Sequence, residues 1–131
     1  MLKVGAYCRV STDKDDQANS FESQQKYFRE YINRNPEWEL VQIFAYEGIS
    51  GTSTKKRKEF HRMIRLAKAG EMDLIITKEV SRFARNTVDT LQYTRDLKKI
   101  GVYVLFMNDN INTKDPDAEL RLTIMASIAQ E

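Results

Sequence analysis

An arginine and a serine stand two residues apart in the stretch Tyr7-Cys8-Arg9-Val10-Ser11-Thr12, which closes an apolar run beginning at Leu2. Extended chain points residues i and i+2 to the same side, so Tyr7, Arg9 and Ser11 share one side where this strand runs out. A hydroxyl beside a guanidinium sets a nucleophile next to a group that holds an anion. Phosphate is the natural anion, because the planar fork of arginine matches its oxygens. More arginines follow: Arg57 in the basic run Lys55-Lys56-Arg57-Lys58, then Arg82 and Arg85 in a short polar insert. A serine and several arginines gathered together make a poor core and a good phosphodiester site, where guanidinium groups stabilise the charge of a pentacovalent transition state.

The elements that must position these groups follow from periodicity and punctuation. Leu2 to Val10 reads as a buried strand and Thr12 to Asn19 as a polar, mobile loop. Ser20 is placed to cap a helix whose apolar stripe is Phe21, Gln24, Phe28, Tyr31 and Ile32, and Asn35-Pro36 ends it. Trp38 to Ala45 is a second strand, followed by a loop from Glu47 to Thr54. Phe60, Met63, Ile64 and Ala67 mark a second helix stopped at Gly70, and Asp73 to Thr77 is a short strand of the doubly buried kind.

Asn86 or Thr87 opens a third helix, which runs to Ile100 and stops at Gly101. Val102 to Met107 is a fourth strand, Asp109 to Asp115 a polar loop, and Pro116 suits a first helical position. Strands alternating with helices predict an α/β domain: three α/β/α layers around a mainly parallel sheet of about four strands. Such sheets place ligands at strand carboxyl ends. Arg9 and Ser11, the segment from Ser50 to Arg57, the segment from Lys78 to Arg85, and Gln24 all fall to that edge.

In the last helix Leu120, Leu122, Ile124, Met125, Ile128 and Ala129 cover nearly the whole circumference. That predicts either burial in the domain's own core or an outer face against another subunit. The helix reaches Glu131 with no exit signal, so the expectation is a single domain, residues 1–131, cut from a longer chain.

Composition narrows the functions on offer. The 131 residues suffice for one domain with a real core, and 41% hydrophobic with 31% charged residues is the balance of a globular protein. One cysteine, Cys8, excludes an internal disulfide, and one thiol with one histidine, His61, argues against a zinc site. No apolar run approaches the roughly 20 residues of a membrane span and no signal peptide opens the chain, so the expected location is the cytoplasm, with no membrane partner. A net charge of +2 merely permits a polyanionic partner.

At this point the chain resembles the serine recombinases: resolvases, invertases and the large serine integrases and transposases. The resemblance rests on Tyr7 to Thr12, Ser20 to Gln24, Gly48-Ile49-Ser50-Gly51 through Arg57, Ser81-Arg82-Phe83-Ala84-Arg85-Asn86-Thr87, and Ala126 to Gln130. The run Ser81 to Thr87 looks most like the large subgroup. The resemblance implies that Ser11 attacks a scissile DNA phosphate and forms a 5′-phosphoserine linkage. It assigns the binding and polarising of that phosphate to Arg9, Arg82 and Arg85, with Arg57 and Gln24 assisting and Lys56 as a further phosphate contact.

The resemblance also implies strand exchange and religation, with neither cofactor nor catalytic metal. Its partners are double-stranded recombination sites, and its assembly is dimers that pair into a tetramer through the last helix. Ser81 stands where small resolvases carry an aspartate, so no carboxylate role transfers there. A loop one residue longer than theirs leaves Arg57 and Lys56 competing for one position.

Other readings stand beside these. A module keeping this fold without the chemistry is the main alternative. A small phosphoryl-transfer or nucleotide-binding protein is a third reading, and the sequence lacks the glycine-rich phosphate cradle it would call for. Ser11 has no evident general base, and a serine hydroxyl needs activation. Cys8 reads as a small core residue, His61 as a surface or half-buried helix residue, and Asp13, Asp15 and Asp16 as solvent-facing carboxylates. Core packing is expected for Tyr7, Tyr27 and Phe28, rather than stacking on bases.

Overall fold

The computed structural model describes residues 1–11, 15–47, 53–80, 83–84 and 86–129, with side chains at all of these except 47, 53–57 and 126–129. The chain forms β1 (Leu2–Val10), a 3₁₀ turn (Gln17–Asn19), α1 (Phe21–Asn33), β2 (Trp38–Glu47) and α2 (Ser53–Lys68). It continues with β3 (Leu74–Thr77), α3 (Thr87–Lys99), β4 (Tyr103–Phe106), β5 (Ile111–Asn112) and α4 (Ala118–Ala129). The α/β class with mainly parallel pairing is borne out, with five strands among the described residues against about four expected. Two compact units divide the chain, Met1–Met72 and Asp73–Glu131.

In the first unit β1 pairs with β2 in parallel, from Leu2 opposite Trp38 to Val10 opposite Glu47, with a register shift between Val4 and Gly5. Residues Val4 to Cys8 are all buried, as befits a strand covered on both faces. α1 packs on both strands through Phe28 and Ile32, and α2 packs on β2. Gly5 sits where the register shifts. A Cβ there would overlap Met72 Sδ and press on the Phe44 ring at 3.3 Å. Both neighbours are buried, so we expect Gly5→Ala to cost about 1–3 kcal/mol of stability. A lower urea midpoint at unchanged m-value would check it.

α1 starts as its sequence dictates: the Ser20 hydroxyl accepts from the Ser23 backbone N–H at 3.1 Å. α2 begins earlier than expected, at Ser53, so the basic run Lys55 to Lys58 is helical rather than part of a loop. Lysine and arginine are good helix formers, and this propensity outweighs the weak repulsion from the positive end of the helix dipole. The two glycine stops are as read: Gly70 and Gly101 take φ of 84° and 81°, the left-handed turn that closes a helix.

In the second unit β3 and β4 pair in parallel, Leu74 opposite Tyr103. β5 returns antiparallel to β4, with Ile111 opposite Phe106. This strand lies within the stretch expected to be loop. A single apolar residue, Ile111, fully buried, is its only hydrophobic signal, and Asn110 at φ 51° turns the chain back. α3 opens at Asn86, whose side chain accepts from the Asp89 N–H at 2.8 Å. Pro116 lies two residues before α4 rather than at its first position.

α4 packs on α3 and β5. It buries Ala118 and Leu122 yet leaves Leu120 67% and Ile124 51% exposed. Of the two expectations for this helix, complete burial is therefore excluded. No helix among the described residues is long and apolar enough to cross a membrane.

Candidate active site

The site begins where β1 stops being covered. Cys8 and Val10 are buried, Arg9 between them is exposed, and Ser11, one residue past the strand, is half-buried. The Ser11 N–H donates to the Asn19 carbonyl at 2.5 Å, which folds the polar loop back onto the strand end. The 3₁₀ turn is in turn tied to the first turn of α1. Ser23 Oγ donates to the Gln17 carbonyl at 2.7 Å, and the Gln24 amide nitrogen donates to the Ala18 carbonyl at 3.1 Å and to Asn19 Oδ1 at 3.2 Å. Asn19 Nδ2 completes the cluster by donating to the Asp16 carboxylate. The helix thus fixes the turn, and the turn fixes the backbone of Ser11.

Gln24 is only 2% exposed. Both hydrogens of its amide go to the turn, and that is a positioning arrangement. Gln24→Ala leaves two carbonyl oxygens facing a cavity, and Gln24→Glu sets a carboxylate against them. We expect a loss of about 1–3 kcal/mol for the alanine variant and more for the glutamate. Faster hydrogen exchange at the Ser11 amide would show that the strand end itself has been released.

Tyr7 shares β1 with Arg9, just before Ser11, but does not reach the surface. It is fully buried, its ring 5.2 Å from Tyr46 and 5.6 Å from Phe60. Burial pushes its phenol far above the ordinary range, with Tyr46, Cys8 and Glu59 adding in the same direction. A neutral, enclosed phenol is no nucleophile, whereas the Ser11 side chain is half-buried rather than enclosed. Cys8 is buried as expected and His61 is exposed on α2. Phe28 is core, whereas Tyr27 is 42% exposed against expectation, because its place on α1 falls beside the buried stripe.

Arg82 and Arg85 belong to the second unit in sequence, and Arg57 and Lys56 to the first. Residues 81, 82 and 85 lie outside the described residues, and so does the expected meeting of Arg82 and Arg85 with Arg9 and Ser11. Arg57 and Lys56 fall on α2, but their side chains are likewise outside it. The anchors on either side are clear. The Val80 N–H donates to Asp109 Oδ2 at 2.8 Å. Phe83 is buried, edge-on to Phe106 at 5.4 Å, and Asn86 caps α3.

A family model described as "Resolvase, N terminal domain" matches residues 4–131. The chain belongs to this resolvase family. A resolvase/recombinase of Pseudomonas putida is 29% identical over 129 residues, 98% of this chain and 64% of that protein. The N-terminal catalytic domain of TP901-1 integrase is similar in structure at TM-score 0.74 and 25% identity, over 98% of this chain and 94% of that one. A resolvase family site-specific recombinase from Streptococcus pneumoniae reaches TM-score 0.75 and 29% identity, over 99% and 89%. The chain spans less than two thirds of the curated relatives' own length.

Sequence reasoning missed two residues of this resolvase-family domain. Asn19 joins Gln24 to Ser11, and its only signal was its place just before the Ser20 cap. Asp109 was read as ordinary loop, and nothing in the sequence paired it with Val80, 29 residues away.

Proposed function

We propose that this chain is the catalytic domain of a serine site-specific DNA recombinase, of the large integrase and transposase type. The observation that carries the reading is the opening of β1 at Arg9 and Ser11, beyond a strand buried from Val4 to Cys8, in a chain that matches the resolvase family from residue 4 onward. Ser11 Oγ attacks the scissile phosphorus, the bond to the 3′ oxygen breaks, and that oxygen leaves as a 3′-hydroxyl carrying a proton. The 5′ phosphate stays esterified to Ser11. A 3′-hydroxyl then attacks the same phosphorus, releases the serine and reseals the strand.

Arg9, Arg82 and Arg85 hold the phosphate oxygens and the added charge of the transition state. Arg57 supports them and Lys56 contacts neighbouring phosphate. Gln24 assists from beneath, through Asn19 and the Ser11 backbone. The phosphodiester energy is kept in the serine ester, so the reaction requires no cofactor.

Its partners are double-stranded recombination sites, and cutting both strands of two duplexes calls for dimers that pair into a tetramer. Leu120 and Ile124, exposed on α4, are the apolar surface that such an assembly would cover. A DNA substrate supports the cytoplasmic location expected from the sequence. The test is capture of the full-length protein on a 5′ DNA end. Duplexes recovered by binding to the protein are nicked, quenched with detergent and run on a denaturing gel. An adduct resistant to digestion from its 5′ end supports the reading. Tight binding with no adduct overturns it in favour of a non-catalytic module that keeps the fold.

A further inference from the structure

We propose that Asp109 is a positioning residue for the arginine-bearing segment and connects that segment to α4. The inference rests on the recombinase reading and goes beyond it. Beyond the strand ends, the chain after β3 stays bonded to the turn after β4. The Met107 N–H donates to the Thr77 carbonyl at 2.9 Å, and the Asn108 N–H donates to the Lys78 carbonyl at 2.8 Å.

The next contact changes character. Instead of another backbone pair, the Asp109 carboxylate reaches across to accept from the Val80 N–H at 2.8 Å. Val80 is buried, and its carbonyl accepts from the Phe83 N–H at 3.1 Å. The carboxylate therefore fixes Val80, which precedes Arg82 by two positions in the sequence. A charged acceptor makes a shorter and stronger bond than a neutral one. Half-buried as Asp109 is, that bond holds Val80 more firmly than solvent would.

The same residue faces α4. The Asp109 carbonyl accepts from the Arg121 guanidinium at 3.2 Å, and Arg121 lies one position beyond Leu120 on the helix that carries the exposed apolar face. One residue thus receives α4 through its backbone and grips the arginine-bearing segment through its side chain. A displacement of α4 that pulls on Arg121 reaches Val80 through two hydrogen bonds. Two packed elements joined this way have a physical route for coupling.

The test compares Asp109→Ala, Asp109→Asn and Arg121→Ala in the full-length protein, on duplexes recovered by binding to the wild type. Ser11→Ala is run alongside. The readouts are the rate of covalent adduct formation, duplex affinity and the denaturation midpoint. We expect Asp109→Ala to slow adduct formation by about 10- to 100-fold, the scale of an ångström-level misplacement, with affinity changed less than about threefold.

Asp109→Asn keeps a side-chain oxygen for Val80 and should recover most of the rate. A merely structural carboxylate would give no such pattern, because its loss would move the midpoint and the rate together in both variants. Arg121→Ala should give a smaller slowing of the same kind. A wild-type rate in Asp109→Ala, or equal slowing in the alanine and asparagine variants, overturns the inference. Absence of any Ser11-dependent adduct from the wild type overturns the recombinase reading itself, which keeps the two failures distinct.

Discussion

Ser11→Ala is expected to abolish the covalent adduct while leaving the domain folded and able to bind its DNA. Removing a nucleophile from a preorganised site lowers the rate by a factor on the order of 10⁶, about 8 kcal/mol in barrier at 1.36 kcal/mol per tenfold. The residual reaction would fall below detection on a gel. The fold should survive because the bond that ties Ser11 to the turn comes from its backbone N–H, which alanine keeps. Gln24, Asn19 and the Ser20 cap are untouched by the change. The denaturation midpoint should therefore move little, and affinity should stay close to wild type. An adduct that persists in Ser11→Ala would place the nucleophile elsewhere. Tyr7, enclosed and neutral, would not be its replacement.

Phe83→Ala is the substitution with the largest expected effect on stability that also bears on chemistry. The ring is 1% exposed and meets Phe106 edge-on, at 5.4 Å and 83°. Truncating a buried phenylalanine costs about 3–5 kcal/mol, a large part of the 5–15 kcal/mol typical of a domain. Its position in the chain makes it more than a core residue. Phe83 follows Arg82 directly and precedes Arg85 by two, and it is the middle of three anchors, with Val80 before and Asn86 after. Without it the chain between Val80 and Asn86 loses a buried anchor, on which the proposed placing of Arg82 and Arg85 depends.

Adduct formation by Phe83→Ala should therefore fall well below wild type even where its denaturation curve shows it folded. Phe83→Leu, which still fills most of the space, should retain much of both properties. A folded Phe83→Ala with the wild-type rate would show that this anchor has no part in placing Arg82 and Arg85.

The largest elements were legible in the sequence because their signals are local. A capping serine and an i, i+3, i+4 stripe were enough for α1. Glycines needing a left-handed turn ended α2 and α3, and a continuous apolar run gave β3. Arg9 and Ser11 were legible for the same reason: strand alternation and the end of an apolar run are read from neighbouring residues. Partners distant in the chain were not legible. β5 is held by two residues whose pairing depends on β4, and the start of α2 was set by helix propensity in a run read for its charge alone.

Gln24 looked like one polar member of a helix stripe, and only the folding back of the 3₁₀ turn gives its amide two carbonyl oxygens to bind. Asp109 carries no local pattern, because its bond to Val80 exists only once β3 and β4 lie side by side. Side-chain type and spacing determined which atoms could do chemistry and the strand end that exposes them. Tertiary structure decided what holds those atoms in place, because a hydrogen bond across 29 residues has no periodicity to betray it.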